Sequence, residues 1–244
     1  KKLNRFYAPF LFYVVALENF DFTEYDLVIS MSSRFAHGVI TKPQTKHVCY
    51  MSTVGRMFWE PNSYFEHEGF GGLKKLAKIF LSFPLLHLRL WDRVACTRPD
   101  HFITNSKTSQ NRIKNYYRRD SSIVHPAIDV SQFEGDTYED EDYYFVLTRL
   151  APWKKVDIAI EACINQGLTL KIAGSGPDRE RLEKIARDLK GEHLVEFLGY
   201  ASDEEKIKHL KKCRALIVTQ LEDFGITPLE SMACGTPVVA YKKG

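Results

Sequence analysis

The chain has 244 residues, with 34 basic against 31 acidic side chains, a formal charge of +3, and 44% hydrophobic and 13% aromatic residues. That apolar content excludes a disordered chain, only 14 Gly and 10 Pro exclude a collagen-like or low-complexity one, and the length admits one or two domains. So small a net charge excludes bulk affinity for nucleic acid, so a basic site must be local and no nucleic-acid partner is expected.

In chain order, short apolar runs predict strands at 27–30, 47–51, 101–104 and 122–124, then at 143–147, 168–173, 194–198, 215–218 and 238–241. Amphipathic stretches between them predict helices over 106–117, 156–166, 179–189, 204–212 and 228–233. Pro228 suits the first turn of the last helix, where a backbone N–H needs no partner. Ser202 with Asp203, Glu204 and Glu205 supplies a cap and acids at the start of the helix before it. Strand–helix–strand repetition at this spacing predicts an α/β fold with doubly wound parallel sheets.

Two segments break the alternation. Glu134, Gly135, Asp136 and Glu139 to Asp142 form an acidic run with little to bury, which reads as a linker over 134–142 between α/β halves at 1–133 and 143–244. Between Gly71 and Arg98, the cluster Lys74, Lys75 and Lys78 precedes an apolar stretch over 79–91 interrupted by Ser82, Pro84, His87 and Arg89. It falls short of the ~20 apolar residues of a membrane span. Two readings remain open there: a buried helix kinked at Pro84, and a basic–apolar surface resting on an anionic bilayer.

The cysteines, Cys49, Cys96, Cys163, Cys213 and Cys234, show no metal-ligand spacing and read as scattered reduced thiols of a cytoplasmic protein. No metal site is expected. Lys1 in place of Met, and an end just after an apolar strand-like run, read as the cut ends of a longer protein.

Three loops carry the chemistry. Glu222-Asp223-Phe224-Gly225-Ile226-Thr227-Pro228-Leu229-Glu230 runs from a strand into a helix, where Gly225 permits close backbone approach and the helix start offers free N–H groups to an anion. The flanking carboxylates would repel a phosphate but suit sugar hydroxyls; a plain capping arrangement explains the same residues equally well. Arg149 and Lys154, after the strand at 143–147, can clamp a diphosphate, although a basic loop is more often simply solvated. Gly174-Ser175-Gly176-Pro177 lacks the spacing of a dinucleotide fingerprint or P-loop and alone reads as a turn. No G-x-G-x-x-G follows a strand, which argues against a dehydrogenase.

In order and spacing, these loops, with Phe197-Leu198-Gly199-Tyr200 and Met232-Ala233-Cys234-Gly235-Thr236-Pro237-Val238, resemble the donor domain of the retaining glycosyltransferases of family 4 (glycosyl transferases group 1). Glu222 and Glu230 match that family's pair of glutamates with seven residues between them. Upstream, Tyr25 to Ser30, Cys49 to Arg56 and Leu88 to Asp92 resemble its mannosyltransferase-like branch, with Ser52 where that branch has His and Val54-Gly55 where it has Pro-Met.

The resemblance implies a GT-B fold of two Rossmann-like domains, both incomplete here, and transfer of a hexose, mannose favoured, from a nucleotide sugar to a glycan or lipid-linked acceptor. It implies no cofactor beyond the nucleotide-sugar co-substrate, and a cytoplasmic or peripheral membrane location. By its pattern Arg149 and Lys154 stabilise the leaving diphosphate, Glu222 holds the sugar and Glu230 the ribose. Gly174, Phe224, Gly225, Ile226 and Thr227 complete the donor site, Leu198 and Tyr200 line the base, and Ser52, Thr53 and Arg56 face the acceptor. No side-chain nucleophile is evident, which suits a front-face mechanism. A non-catalytic sugar-nucleotide-binding module and a nucleotide-sugar epimerase of the same fold are the alternatives.

Overall fold

Two parallel sheets account for every strand among the described residues, 10–60, 74–135 and 141–243 of a computed structural model. The chain divides into two compact units, Lys1–His125 and Pro126–Gly244.

In the first unit, strands β1 (Leu27–Ser32), β2 (Lys46–Met51), β3 (His101–Thr104) and β4 (Ser122–Ile123) lie side by side in chain order. Val28 sits opposite His47, and Cys49 opposite Phe102. Side chains alternate between faces with a period of two, so Val28, Ser30 and Ser32 are buried while Leu27, Ile29 and Met31 are exposed. A parallel sheet is ordinarily covered on both faces, but on this second face the β1 side chains are exposed, while Val48, Tyr50 and Ile103 of β2 and β3 are half-buried.

Helix α1 (Phe10–Glu18), the single turn α2 (Arg56–Trp59) and helix α3 (Lys74–Ala95) belong to the same unit. Helix α3 runs through Pro84. Leu88, Asp92 and Ala95 are buried, whereas Phe83, Leu86, Leu90 and Val94 form an exposed stripe on the opposite face. The side chains of Lys74, Lys75 and Lys78 lie outside the described residues.

A polar knot sits inside this unit. The Asp92 carboxylate accepts from Trp59 Nε1 (2.6 Å) and Tyr117 Oη (3.1 Å), and His37 Nε2 lies 3.1 Å from it. Both His37 and Asp92 are fully buried, where a charge persists only with such company. Desolvation and the Asp92 charge push the Tyr117 hydroxyl well above its usual pKa.

Helix α4 (Lys107–Arg112), capped by Ser106 Oγ on the Ser109 amide, widens into a π turn over Ile113–Tyr117 and stops at left-handed Arg118. The sequence predicts one regular helix there.

In the second unit, β5 (Tyr144–Leu147), β6 (Leu170–Ala173), β7 (Val195–Gly199), β8 (Ala215–Val218) and β9 (Val238–Ala240) form a sheet in the order β7-β6-β5-β8-β9. Helices α5 (Val156–Gln166), α6 (Arg179–Asp188), α7 (Asp203–Lys212) and α8 (Ile226–Ala233) are the crossovers. Val156, Ile160, Ile172 and Leu182 form one side of the core, and Phe145, Leu210 and Leu216 another. Ser202 and Glu205 close a reciprocal capping box on α7. Pro228 lies in the first turn of α8, two residues after its first position.

The division between the units falls at His125–Pro126, earlier than the acidic boundary expected at 134–142. Phe133, in a short turn over Val130–Phe133, is buried in the second unit, so the chain is committed there before the acidic run begins. Residues 136–140 lie outside the described set. Beyond them Glu141 is pinned by Lys171 (3.2 Å) and Lys212 (2.6 Å), and Asp142 by Arg214 (2.8 Å), so the acids lead into β5 as anchors.

Candidate functional site

Strand β5 is followed outward by β6 and β7 on one side, after which the chain crosses back to β8 and β9 on the other. The reversal falls between β5 and β8, and in open α/β sheets ligands bind beyond the carboxyl ends of strands at such a switch point. The loops leaving these strands carry Arg149 and Lys154 on one side and Glu222 on the other.

After β5 the chain makes a tight turn over Pro152–Lys154, and Lys155 is left-handed (φ 56°) before α5 starts. Thr219 Oγ1 donates to the Lys154 carbonyl at 2.8 Å, tying this turn to the end of β8. The Lys154 ammonium lies 4.4 Å from the Trp153 ring centroid and donates to Glu222 Oε1 at 2.7 Å. Gln220 Nε2 donates to the same oxygen. Lys154 is mostly buried, at 13% side-chain exposure, whereas Arg149 on the same loop is exposed.

The Gly174-Ser175-Gly176 stretch is more than a turn. A Cβ on Gly174 would stand 1.8 Å from the Thr148 carbonyl oxygen, and one on Gly176 2.0 Å from that of Leu150. Gly174 also sits at φ 137° and donates its amide to the Gly199 carbonyl at 2.6 Å. These glycines let the loops after β5, β6 and β7 pack backbone against backbone along one edge. Behind them Asp178 is gripped by Arg181 at 2.7 and 2.8 Å, and Arg181 reaches Asp157 at 3.2 Å, joining α6 to α5.

On the β8 side, Gly225 (φ 85°) caps α8, and Phe224 and Thr227 are half-buried while Ile226 is exposed. The first turn of α8, with the positive end of its dipole, suits an anion. Glu230, one turn into α8, accepts from Lys206 Nζ at 3.0 Å, and Lys206 also holds Asp203 at 3.1 Å. Burial alone would lower the Lys206 pKa, but the hydrogen bonds and charges of Glu230 and Asp203 more than offset it and leave it above its ordinary value. Leu198 is half-buried at the end of β7 and Tyr200 is 83% exposed just beyond it. Lys154 and Glu222, singled out on separate loops in the sequence, meet here. Gln220, Thr219 and Lys206 are partners that sequence reasoning missed.

Residues Ser52, Thr53 and Arg56 come together in the first unit after β2. Ser52 Oγ donates to the Ser32 carbonyl at 3.2 Å, and the Ser52 carbonyl accepts from Ser109 Oγ at 2.7 Å. Arg112 lies 3.4 Å from the Thr53 hydroxyl and 3.3 Å from Glu60, which Arg56 also meets at 3.2 Å. Among the described residues no helix is long and apolar enough to cross a membrane, and no group of His, Cys, Asp and Glu is disposed to hold a metal.

Residues 127–244 match the family model described as Glycosyl transferases group 1. An uncharacterized glycosyltransferase of Methanocaldococcus jannaschii is 28% identical over 159 residues, 64% of this chain and 44% of that protein. A GDP-mannose-dependent alpha-(1-6)-phosphatidylinositol monomannoside mannosyltransferase of Mycolicibacterium smegmatis is 28% identical over 165 residues, 57% of this chain and 43% of that protein. The chain therefore spans less than half the length of these relatives. The crystal structure of Anabaena HepE in complex with UDP-glucose superposes with a TM-score of 0.63 at 19% identity, covering 91% of this chain and 61% of that one. Residues 127–244 are thus similar to the glycosyl transferases group 1 family, and the chain has an α/β fold of the GT-B type.

Proposed function

We propose that this chain is part of a retaining glycosyltransferase that moves a hexose from a nucleotide sugar to a glycan or lipid-linked acceptor. The observation that carries the reading is the meeting of Lys154 and Glu222 at the β5–β8 switch point, beside the α8 N-terminus. Cations and helix amides there suit a diphosphate, and a carboxylate among them suits hydroxyls. Arg149 and Lys154 neutralise the charge growing on the leaving diphosphate, Glu222 receives the hexose hydroxyls, and Glu230, held by Lys206, receives the ribose. Leu198 and Tyr200 flank the base, while Gly174, Phe224, Gly225, Ile226 and Thr227 shape the rest.

In the proposed step the bond from the anomeric carbon to the diphosphate oxygen breaks. The acceptor hydroxyl oxygen bonds to that carbon from the same face, and its proton passes to the departing phosphate oxygen. Side-chain cations and helix amides supply the charge stabilisation, so no metal is required. Mannose from GDP-mannose is the favoured donor, supported by the first-half resemblance and by the mycobacterial relative. The HepE structure holds UDP-glucose, which makes UDP-hexoses the comparison. Ser52, Thr53 and Arg56 face the acceptor, and the stripe on α3 rests on an anionic, cytoplasm-facing membrane surface.

A second reading, a sugar-nucleotide-binding module without transfer, is favoured by Ser52, whose hydroxyl is spent on the Ser32 carbonyl. Incubating the protein with labelled GDP-mannose or UDP-glucose and membrane glycolipid separates the two. A glycoside of retained configuration is expected. Donor binding with no product supports the module, and epimerised donor would overturn both.

A further inference from the structure

Lys154 has one exposed-side opportunity and two claimants. Its ammonium is mostly buried, faces the Trp153 ring at 4.4 Å and donates to Glu222 Oε1 at 2.7 Å. A diphosphate on that ammonium cannot tolerate a carboxylate oxygen at the same contact, because two anions at van der Waals distance in a half-buried site repel strongly. We propose that Glu222 is a displaceable latch on Lys154, exchanging the ammonium for sugar hydroxyls when the intact donor binds. This deepens the donor reading above and rests on it.

Two features make the exchange selective. Gln220 Nε2 donates to the same Glu222 oxygen and is itself buried, so the carboxylate stays tethered beside the site after Lys154 lets go. Thr219 holds the Lys154 carbonyl and the Trp153 ring lies 4.4 Å from the ammonium, so the turn that presents the ammonium stays beside the site as well. A sugar nucleotide that breaks the Lys154–Glu222 pair recovers the loss through hydroxyl hydrogen bonds to the freed carboxylate. A bare nucleoside diphosphate breaks the same pair and recovers nothing. The pair therefore discriminates the donor from its own leaving product, and re-forming it after transfer helps to expel the nucleoside diphosphate. Gln220 acts as the positioning residue.

Calorimetric titration of the chain with GDP and with UDP tests the latch through a double-mutant cycle of Glu222→Gln and Lys154→Met. The neutral, isosteric Glu222→Gln change is expected to tighten nucleoside diphosphate binding about three- to tenfold, the scale of a partly buried ion pair. In the Lys154→Met background the same change is expected to alter binding less than about twofold, since no ammonium is left to release. An equal gain in both backgrounds would mean that Glu222 merely repels phosphate, and overturns the latch. So would no gain, or a loss, in the Lys154 background that the chain naturally carries. If neither nucleotide binds the unaltered chain, the donor reading itself falls and takes the latch with it.

Discussion

At the scale of single residues, the second unit sets acids against bases along one sheet edge: Lys154 against Glu222, and Lys206 against Glu230. The two pairs differ in what they are asked to do. Lys206, itself paired with Asp203, holds Glu230 from behind, so Glu230→Ala is expected to weaken a nucleoside diphosphate and its sugar nucleotide equally, the ribose being common to both. Glu222→Gln is expected to depress turnover of the sugar nucleotide while leaving the bare diphosphate bound at least as well. Titration of both variants with both ligands checks this, and equal losses in the Glu222 variant would mean that the wrong end of the donor is assigned to it. Arg149→Ala and Lys154→Ala are each expected to cost about 2.7–4 kcal/mol of transition-state stabilisation, as lost oxyanion donors do, read from kcat/KM in a transfer assay. Near-normal turnover in both removes the diphosphate assignment.

At the scale of elements, short apolar runs locate every strand among the described residues within a residue or two, because such a run bounded by polar residues is a local property of the sequence. Helices with one apolar face, 156–166 above all, are equally legible. Helix α1 has no such face: Phe12, Tyr13 and Val15 are exposed while Val14 is buried, so no period marks it. The Gly174 and Gly176 contacts are invisible for another reason. The atoms they make room for, the Thr148 and Leu150 carbonyls, lie some 26 residues back on a different loop. Gly174→Ala, which adds a Cβ at φ 137° against a backbone oxygen, is expected to destabilise the second unit by about 2 kcal/mol or more in a denaturant titration.

Strand β2 carries a pH dependence. His47 is buried with Nε2 on Ser30 Oγ at 2.8 Å; desolvation, aided by His37 and opposed by Asp100, pushes its pKa down to about 4. The unfolded chain then binds more protons than the folded one between that value and an ordinary histidine pKa near ~6.5. Its contribution to stability, up to about 3 kcal/mol, is complete above that window and is lost as pH falls through it. Thermal unfolding followed from pH 7.5 to 4.5 is expected to show this loss, and His47→Gln is expected to flatten it.

At the scale of the whole molecule, a net charge of +3 says little, and what matters is where the charges and apolar surfaces lie. The stripe Phe83, Leu86, Leu90 and Val94 occupies the helix that begins at Lys74. Changing Lys74, Lys75 and Lys78 to Glu is expected to reduce co-sedimentation with anionic liposomes, each basic residue near the surface being worth roughly 1 kcal/mol and less at high salt. Binding unaffected by those changes counts against a membrane role for α3. The order of loops along the second half was legible because chain order places consecutive βα loops on one edge of a parallel sheet. The partners Lys206 and Gln220 were not, since pairing across that edge depends on side-chain reach that no spacing encodes.

In the proposed function the β5–β8 edge of the second unit takes the diphosphate of a nucleotide sugar. The most direct measurement is calorimetric titration of the chain and of its Arg149→Ala variant with GDP and UDP at fixed salt. Saturable one-to-one binding to the unaltered chain, weakened about tenfold or more by the loss of Arg149, is the predicted result. Equal affinity for the two proteins, or no binding to the unaltered chain, would contradict it.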